Sequence, residues 1–196
     1  MIIPLGTWVL RNACAFLQKL HKKGYANLSV SVNISMLQLL QTDFSDIVID
    51  TLELFELEPD YLELEITESI LMESFETIGS KLEKLSDLGV RIALDDFGKG
   101  YSSLNYLKQL PISTLKVDKT FIDNISNESD INNLTGHIVT IGKSMGMCVI
   151  AEGVERQEQL EYLVKHECDK IQGYLYSKPI SEAEIIKLLE NSSLGN

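Results

Sequence analysis

Six short apolar runs separated by helix-length amphipathic stretches constrain this chain more than any other feature. The runs are Leu28–Asn33, Tyr61–Thr67, Val90–Asp95, Thr114–Asp118, Met147–Glu152 and Asp169–Gln172. Each is strand-sized, and all but the last are rich in aliphatic residues. Between them, Asp43–Leu57 sets Phe44, Ile47, Val48, Leu52 and Phe55 on one side, and Phe75–Leu88, Ile131–Met145 and Gln157–His166 are of helical length. Pro4–Leu20 reads as a helix before the first run, and Ala183–Glu190 follows the last. Strands alternating with helices imply βαβ units and a mainly parallel sheet. Short, right-handed crossovers leave two architectures, an open doubly wound sheet or a (β/α)8 barrel. Turns at Leu88-Gly89-Val90 and Met145-Gly146-Met147, and Pro179 after the last run, mark element boundaries. Six strands in 196 residues fall short of a full barrel, which takes eight strands and about 250 residues.

A chain of this length suits one domain with a sizeable core. No low-complexity linker or charge block divides it, so residues 1–196 are expected to form a single domain. No apolar run approaches the ~20 residues that span a bilayer, and no secretory leader is evident. Cys14, Cys148 and Cys168 are odd in number and widely spaced. They are expected to be reduced and mostly buried, which places the chain in the cytoplasm. His21, His137 and His166 lack partners at ligand spacing, so no zinc site is expected. A net charge of -12 argues against binding duplex nucleic acid. It leaves room for a phosphate-bearing small ligand, because bound divalent cations reverse the local field of an acidic pocket.

Polar groups fall in a pattern against those strands. The first run ends in Asn33, the second carries Glu65 with Glu68 just beyond it, and the third ends in Asp95-Asp96. Lys116 and Asp118 alternate with apolar residues in the fourth, Glu152 ends the fifth, and Gln172 ends the sixth. Any one of these fits a turn former or helix cap equally well. Six in succession at strand C-termini do not, and that is the face on which parallel α/β folds build active sites. Clustered carboxylates repel and need protons or cations. Asn33, Glu65, Asp95 and Asp96 form an all-oxygen set suited to Mg2+ or Mn2+. Two such ions can activate water and stabilise both the attacking and the leaving oxygen of a phosphodiester. Lys116 adds a positive charge to orient that water or offset developing negative charge. Gly98-Lys99-Gly100 lacks the spacing of a Walker loop, and Asp96-Phe97-Gly98 lacks the partners of a kinase.

The ordered motifs resemble the EAL family of bacterial cyclic-di-GMP phosphodiesterases. They are Ser31-Val32-Asn33-Ile34-Ser35, Glu63-Leu64-Glu65-Ile66-Thr67-Glu68-Ser69, and Ala93 through Leu104 with its Asp95-Asp96-Phe97-Gly98. Leu115-Lys116-Val117-Asp118, Ile150-Ala151-Glu152-Gly153-Val154-Glu155 and Ile171 through Pro179 complete them. The resemblance implies an incomplete TIM-like (β/α)8 barrel and cleavage of cyclic-di-GMP to pGpG with Mg2+ or Mn2+. It implies Asn33, Glu65, Asp95 and Asp96 as metal ligands, with Asp118 and Glu152 at or beside the metals. Lys116 is implied to position the hydrolytic water, Gln172 to lie near water and ligand, and Glu68 to anchor the glycine-rich loop. It also implies a homodimer joined near that loop.

Two further strands are implied upstream of Ile2-Ile3-Pro4-Leu5-Gly6, the second carrying Glu-Ala-Leu-x-Arg. Without them the expectation is an open barrel with two unpaired edges, one metal ligand short and impaired in turnover. The alternatives are a catalytically inactive cyclic-di-GMP-binding or protein-interaction module, and a non-functional fragment.

Overall fold

A computed structural model describes residues 1–98, 107–125 and 134–193, with side chains given except at 71–76 and 192–193. Helix α1 (Ile2–Lys22) leads into strand β1 (Val30–Asn33), and α2 (Met36–Leu39) and α3 (Phe44–Leu54) carry the chain to β2 (Leu62–Thr67). Helix α4 (Glu68–Asp87), β3 (Arg91–Phe97), β4 (Thr114–Val117), α5 (Lys119–Asp123) and α6 (Leu134–Ser144) follow. Strand β5 (Cys148–Glu152), α7 (Gln157–Lys165), β6 (Lys170–Gln172) and α8 (Glu182–Ser193) complete the order.

All six strands are parallel and lie side by side in sequence order, β1 to β6. A doubly wound sheet reverses strand order at its switch point, and this sheet never does. Right-handed crossovers without a reversal put successive helices on one face, so the sheet curls about its other face. The result is a half-barrel of the TIM-like type. Its edges among the described residues are β1 and β6.

Alternation along the strands sorts the two faces. Leu64, Ile66, Ile92, Leu94, Leu115, Val117, Val149 and Ala151 are buried in the outer layer. Ile78, Leu82 and Leu85 of α4 and Ile138 and Val139 of α6 belong to the same core. Gly142 lets α6 come close: a Cβ there would sit 2.6 Å from Val149 Cγ2 and 3.0 Å from Leu115 Cδ2. Helix α1 buries Leu10, Cys14, Leu17 and Leu20, spaced as one helical stripe. Ion pairs from Lys19 to Glu182 (3.8 Å) and Lys23 to Glu190 (3.5 Å) bring α8 back beside α1.

Several details depart from the sequence expectation. Helix α4 begins at Glu68, directly after β2, where a start near Phe75 is expected. Helix α2 is unexpected; Gln38 Oε1 accepts from the Ser35 backbone N–H (3.2 Å) and hydroxyl (2.8 Å), a capping arrangement that starts the helix. Strand β4 stops at Val117, and Asp118 becomes the N-cap of α5. Cys14 is buried, whereas Cys148 and Cys168 are only half-buried. Most of the glycine-rich loop, from Lys99 through Leu104, lies outside the described residues.

Candidate functional site

The inward strand positions converge on one ammonium group. Lys116 Nζ lies 2.7 Å from Glu65 Oε2, 2.7 Å from Glu152 Oε1 and 3.4 Å from Asp95 Oδ1. The lysine is 3% exposed. Glu65 on β2 reaches it across β3, where the residue in register with Glu65 is Ala93. A methyl group there leaves the path open. Four strands thus deliver one side chain each to a single point near their C-terminal ends.

Three carboxylates around one ammonium leave a surplus of negative charge, and burial magnifies it. Burial alone would pull the Lys116 ammonium down, but hydrogen bonds and attraction from Glu152 and Glu65 outweigh it and hold its pKa above the ordinary value. Burial pushes the Glu152 carboxyl up, with repulsion from Asp95 and Glu65 in the same direction, against the lowering effect of Lys116. Lys116 is therefore a persistent cation and a donor.

The ladder of strand β3 breaks at its two consecutive aspartates, Asp95 and Asp96. The pairing with β4 shifts between Leu94 and Phe97, and Asp96 has φ 59°. Its backbone N–H donates to Asp95 Oδ1 at 2.9 Å. In a regular strand Asp95 and Asp96 would face opposite sides; a bulge breaks that alternation. Left-handed backbone at a non-glycine residue is strained and concentrates at functional positions.

The other candidate residues surround this centre at different distances. Asn33 is exposed at the end of β1, in register with Glu65, and Gln172 is exposed at the end of β6, in register with Glu152. Glu68 is buried at the start of α4, where its Oε2 accepts from Gly98 N–H at 3.2 Å. That contact ties the helix to the first residues of the glycine-rich segment. Asp118 Oδ1 accepts from Thr120 N–H (2.9 Å) and hydroxyl (2.6 Å), so one of its oxygens is engaged as a helix cap.

Beside the cluster, a cleft of about 740 Å3 opens at the ends of β5 and β6. Glu152, Gly153 and Gln172 line one side, with Lys119, Glu155, Tyr174 and Lys178 around them and Ile185 and Leu188 of α8 opposite. Lys119 donates to Asp123 (2.9 Å) and Glu155 (3.0 Å), and Lys178 lies 5.8 Å from the Tyr174 ring centre. Gly173 must be glycine because a Cβ would strike the Val154 backbone. Apart from Glu152 and Gln172, sequence reasoning assigned these cleft residues no role. Their signal is proximity in sequence to Glu152 and Gln172. Glu63 was also passed over; it shares the inward parity of Glu65.

Asn33, Glu65, Asp95 and Asp96 fit a hard divalent ion by donor chemistry, and the cluster's surplus negative charge favours one. Lys116 occupies the point where Glu65, Asp95 and Glu152 converge. Among the described residues, no group of three or more His, Cys, Asp or Glu is set as a ready metal cage.

The EAL domain family model matches residues 1–179. The chain belongs to the EAL domain family. Over 186 residues it is 39% identical to the bifunctional diguanylate cyclase/cyclic di-GMP phosphodiesterase MucR of Pseudomonas aeruginosa, covering 95% of this chain and 27% of that protein. A solved PaMucR phosphodiesterase in complex with c-di-GMP superposes with TM-score 0.88 at 39% identity, covering 94% of this chain and 74% of that one. A solved calcium/cyclic-di-GMP complex of BlrP1 from Klebsiella pneumoniae gives TM-score 0.80 at 27% identity, over 90% of this chain and 44% of that one. The EAL chain spans about a quarter of the length of the curated relatives it matches. No helix among its described residues is long and apolar enough to cross a membrane.

Proposed function

We propose that this EAL domain, taken as one unit over residues 1–196, hydrolyses cyclic-di-GMP to pGpG with Mg2+ or Mn2+. The observation that carries the reading is the convergence of Glu65, Asp95 and Glu152 on Lys116 at the C-terminal ends of four strands. Asn33, Glu65, Asp95 and Asp96 would hold the metal, with Asp118 beside them. When bound, the metal supplies an activated water and neutralises charge on the phosphodiester.

The protein's own residues have distinct tasks in this reading. Lys116 is held protonated by its carboxylate neighbours, so it donates a hydrogen bond and does not abstract the water's proton. Its ammonium orients the attacking oxygen and offsets negative charge on the phosphoryl oxygens. Glu152 and Gln172 border the cleft beside that point and contact water and ligand. Glu68 fixes the loop entrance through Gly98 N–H. The cytoplasm, and a homodimer joined near the glycine-rich loop, belong to the same proposal; sedimentation at micromolar concentrations checks the dimer.

A second reading is a module that binds cyclic-di-GMP without cleaving it. One observation favours it: Glu65, Asp95 and Glu152 already share a single cation, the buried Lys116 ammonium. Incubation with cyclic-di-GMP and Mn2+, with pGpG followed by chromatography, separates the two. The chain is assayed beside a fusion carrying the upstream Glu-Ala-Leu-x-Arg strand that the family resemblance implies. Metal-dependent turnover by either supports the enzyme. Micromolar binding with no turnover from either supports the module.

A further inference from the structure

Beneath the candidate site lies a second layer of polar side chains that repeats its strand pattern. Glu63 on β2 is 4% exposed, and its two carboxylate oxygens have separate partners. The Ser31 hydroxyl on β1 donates to Oε1 at 2.8 Å, and the Thr114 hydroxyl on β4 donates to Oε2 at 2.7 Å. Each of the three stands two residues before a candidate site residue on its own strand: Ser31 before Asn33, Glu63 before Glu65, Thr114 before Lys116. Alternate residues of a strand share a face, so each lower group sits directly under an upper one, about 7 Å away.

Strands β2 and β4 are not neighbours; β3 runs between them. No backbone ladder fixes their separation directly. Two side-chain bridges do, Glu63–Thr114 below and Glu65–Lys116 above, both with donor–acceptor distances of 2.7 Å. The lower bridge is made of neutral hydroxyls on a carboxylate, lies away from the cleft and has no evident part in chemistry. A buried carboxylate is costly to retain unless its bonds are needed.

We propose that Glu63 is a positioning residue: its bridge to Ser31 and Thr114 sets the curvature of β1–β4 and thereby the spacing of Asn33, Glu65 and Lys116. The proposal rests on the phosphodiesterase reading for its metal and turnover consequences, though the brace itself is a property of the metal-free fold. Two oxygens serving two donors explain why glutamate suits the position, since a glutamine amide would face one hydroxyl with a donor of its own.

The test uses Thr114→Val, which removes one donor and keeps the strand's shape, and Ser31→Ala. Thr51→Val is the control: Thr51 is 1% exposed against 2% for Thr114, and its hydroxyl donates to Ile47 O on α3, far from the site. Mn2+ alone is titrated calorimetrically, and the Lys116 ammonium, expected to exchange slowly because it is buried and bridged, is followed by nitrogen NMR in EDTA and assigned by its loss in Lys116→Met. Thr114→Val is expected to weaken Mn2+ about tenfold, the scale of losing an outer support of a metal ligand. It should lower kcat with little change in KM, and its Lys116 ammonium should exchange several-fold faster. Ser31→Ala should change the same readouts in the same direction, whereas Thr51→Val should lose thermal stability and leave all of them alone. Thr114→Val behaving like Thr51→Val in both Mn2+ affinity and ammonium exchange overturns the proposal. Absence of Mn2+ uptake by the unsubstituted chain counts against the metal reading, and the ammonium exchange then decides the brace by itself.

Discussion

At Lys116 a buried ammonium is the only cation within reach of Glu65, Asp95 and Glu152 among the described ion pairs. Removing it leaves clustered carboxylates with nothing to balance them. Lys116→Ala is predicted to cost about 3–5 kcal/mol in metal-free buffer, the scale of breaking a buried pair. Urea titration in EDTA measures this, and part of the loss should return when Mn2+ replaces EDTA. Turnover in Mn2+ should vanish. Asp96 is a different case, because its backbone as well as its carboxylate is unusual, with φ 59°. Glycine tolerates that conformation and alanine does not, so Asp96→Ala should be less stable than Asp96→Gly by about 1 kcal/mol. Both should lose activity, which separates the strain from the chemistry. Equal stabilities for the two would mean that the bulge is not strained.

Strands β1 to β5 were legible because they are short runs with aliphatic residues closed by polar ones, and β2 at Leu62–Thr67 shows how closely the pattern follows the fold. The start of α4 was not legible. No Gly, Pro or Asn separates Thr67 from Glu68, and the turn is made by Thr67 entering the helix with extended φ and ψ. The consecutive pair Asp95 and Asp96 was readable as composition only. The bulge at this pair follows from pairing with β4, which is invisible locally. Glu63 was hidden by the attention that Glu65 attracts, though the same alternation carries both. Away from the site, Asp169 clamps α6 to β5: Lys143 Nζ donates to Oδ1 and Val149 N–H to Oδ2, each at 2.8 Å. Lys143 first, then the Val149 N–H, hold its carboxyl below the ordinary value of 3.8. A depressed carboxyl stabilises the fold above its unfolded pKa and loses that effect as pH falls through the folded one. The stability gap between the parent chain and Asp169→Asn should therefore be full at pH 6 and close as pH falls below 3.8. Urea midpoints across that range test it, and a gap independent of pH would contradict it.

For the molecule as a whole, the net charge of -12 and the carboxylate cluster make a divalent cation the natural stabiliser. A ligand that binds only the folded state adds about 2.7 kcal/mol at a hundred times its Kd. Melting in Mn2+ should therefore occur several degrees above melting in EDTA, and Glu65→Gln should remove most of that difference. Exposed apolar residues also mark the molecule's open sides. Leu5, Trp8 and Val9 project from α1, and Tyr174 and Tyr176 from the segment after β6. With β1 and β6 as free edges among the described strands, the curled sheet presents Asn33 and Gln172 at its rims and Lys116 in its hollow. The account therefore turns on whether that hollow is a metal-dependent phosphodiesterase centre. The direct measurement is pGpG formation from cyclic-di-GMP, in Mn2+ and in EDTA, by the chain and its Glu-Ala-Leu-x-Arg fusion, each with and without Lys116→Ala. Turnover that requires both Mn2+ and Lys116 is the predicted result; folded protein that yields no pGpG in either form, or turnover that survives Lys116→Ala, would contradict it.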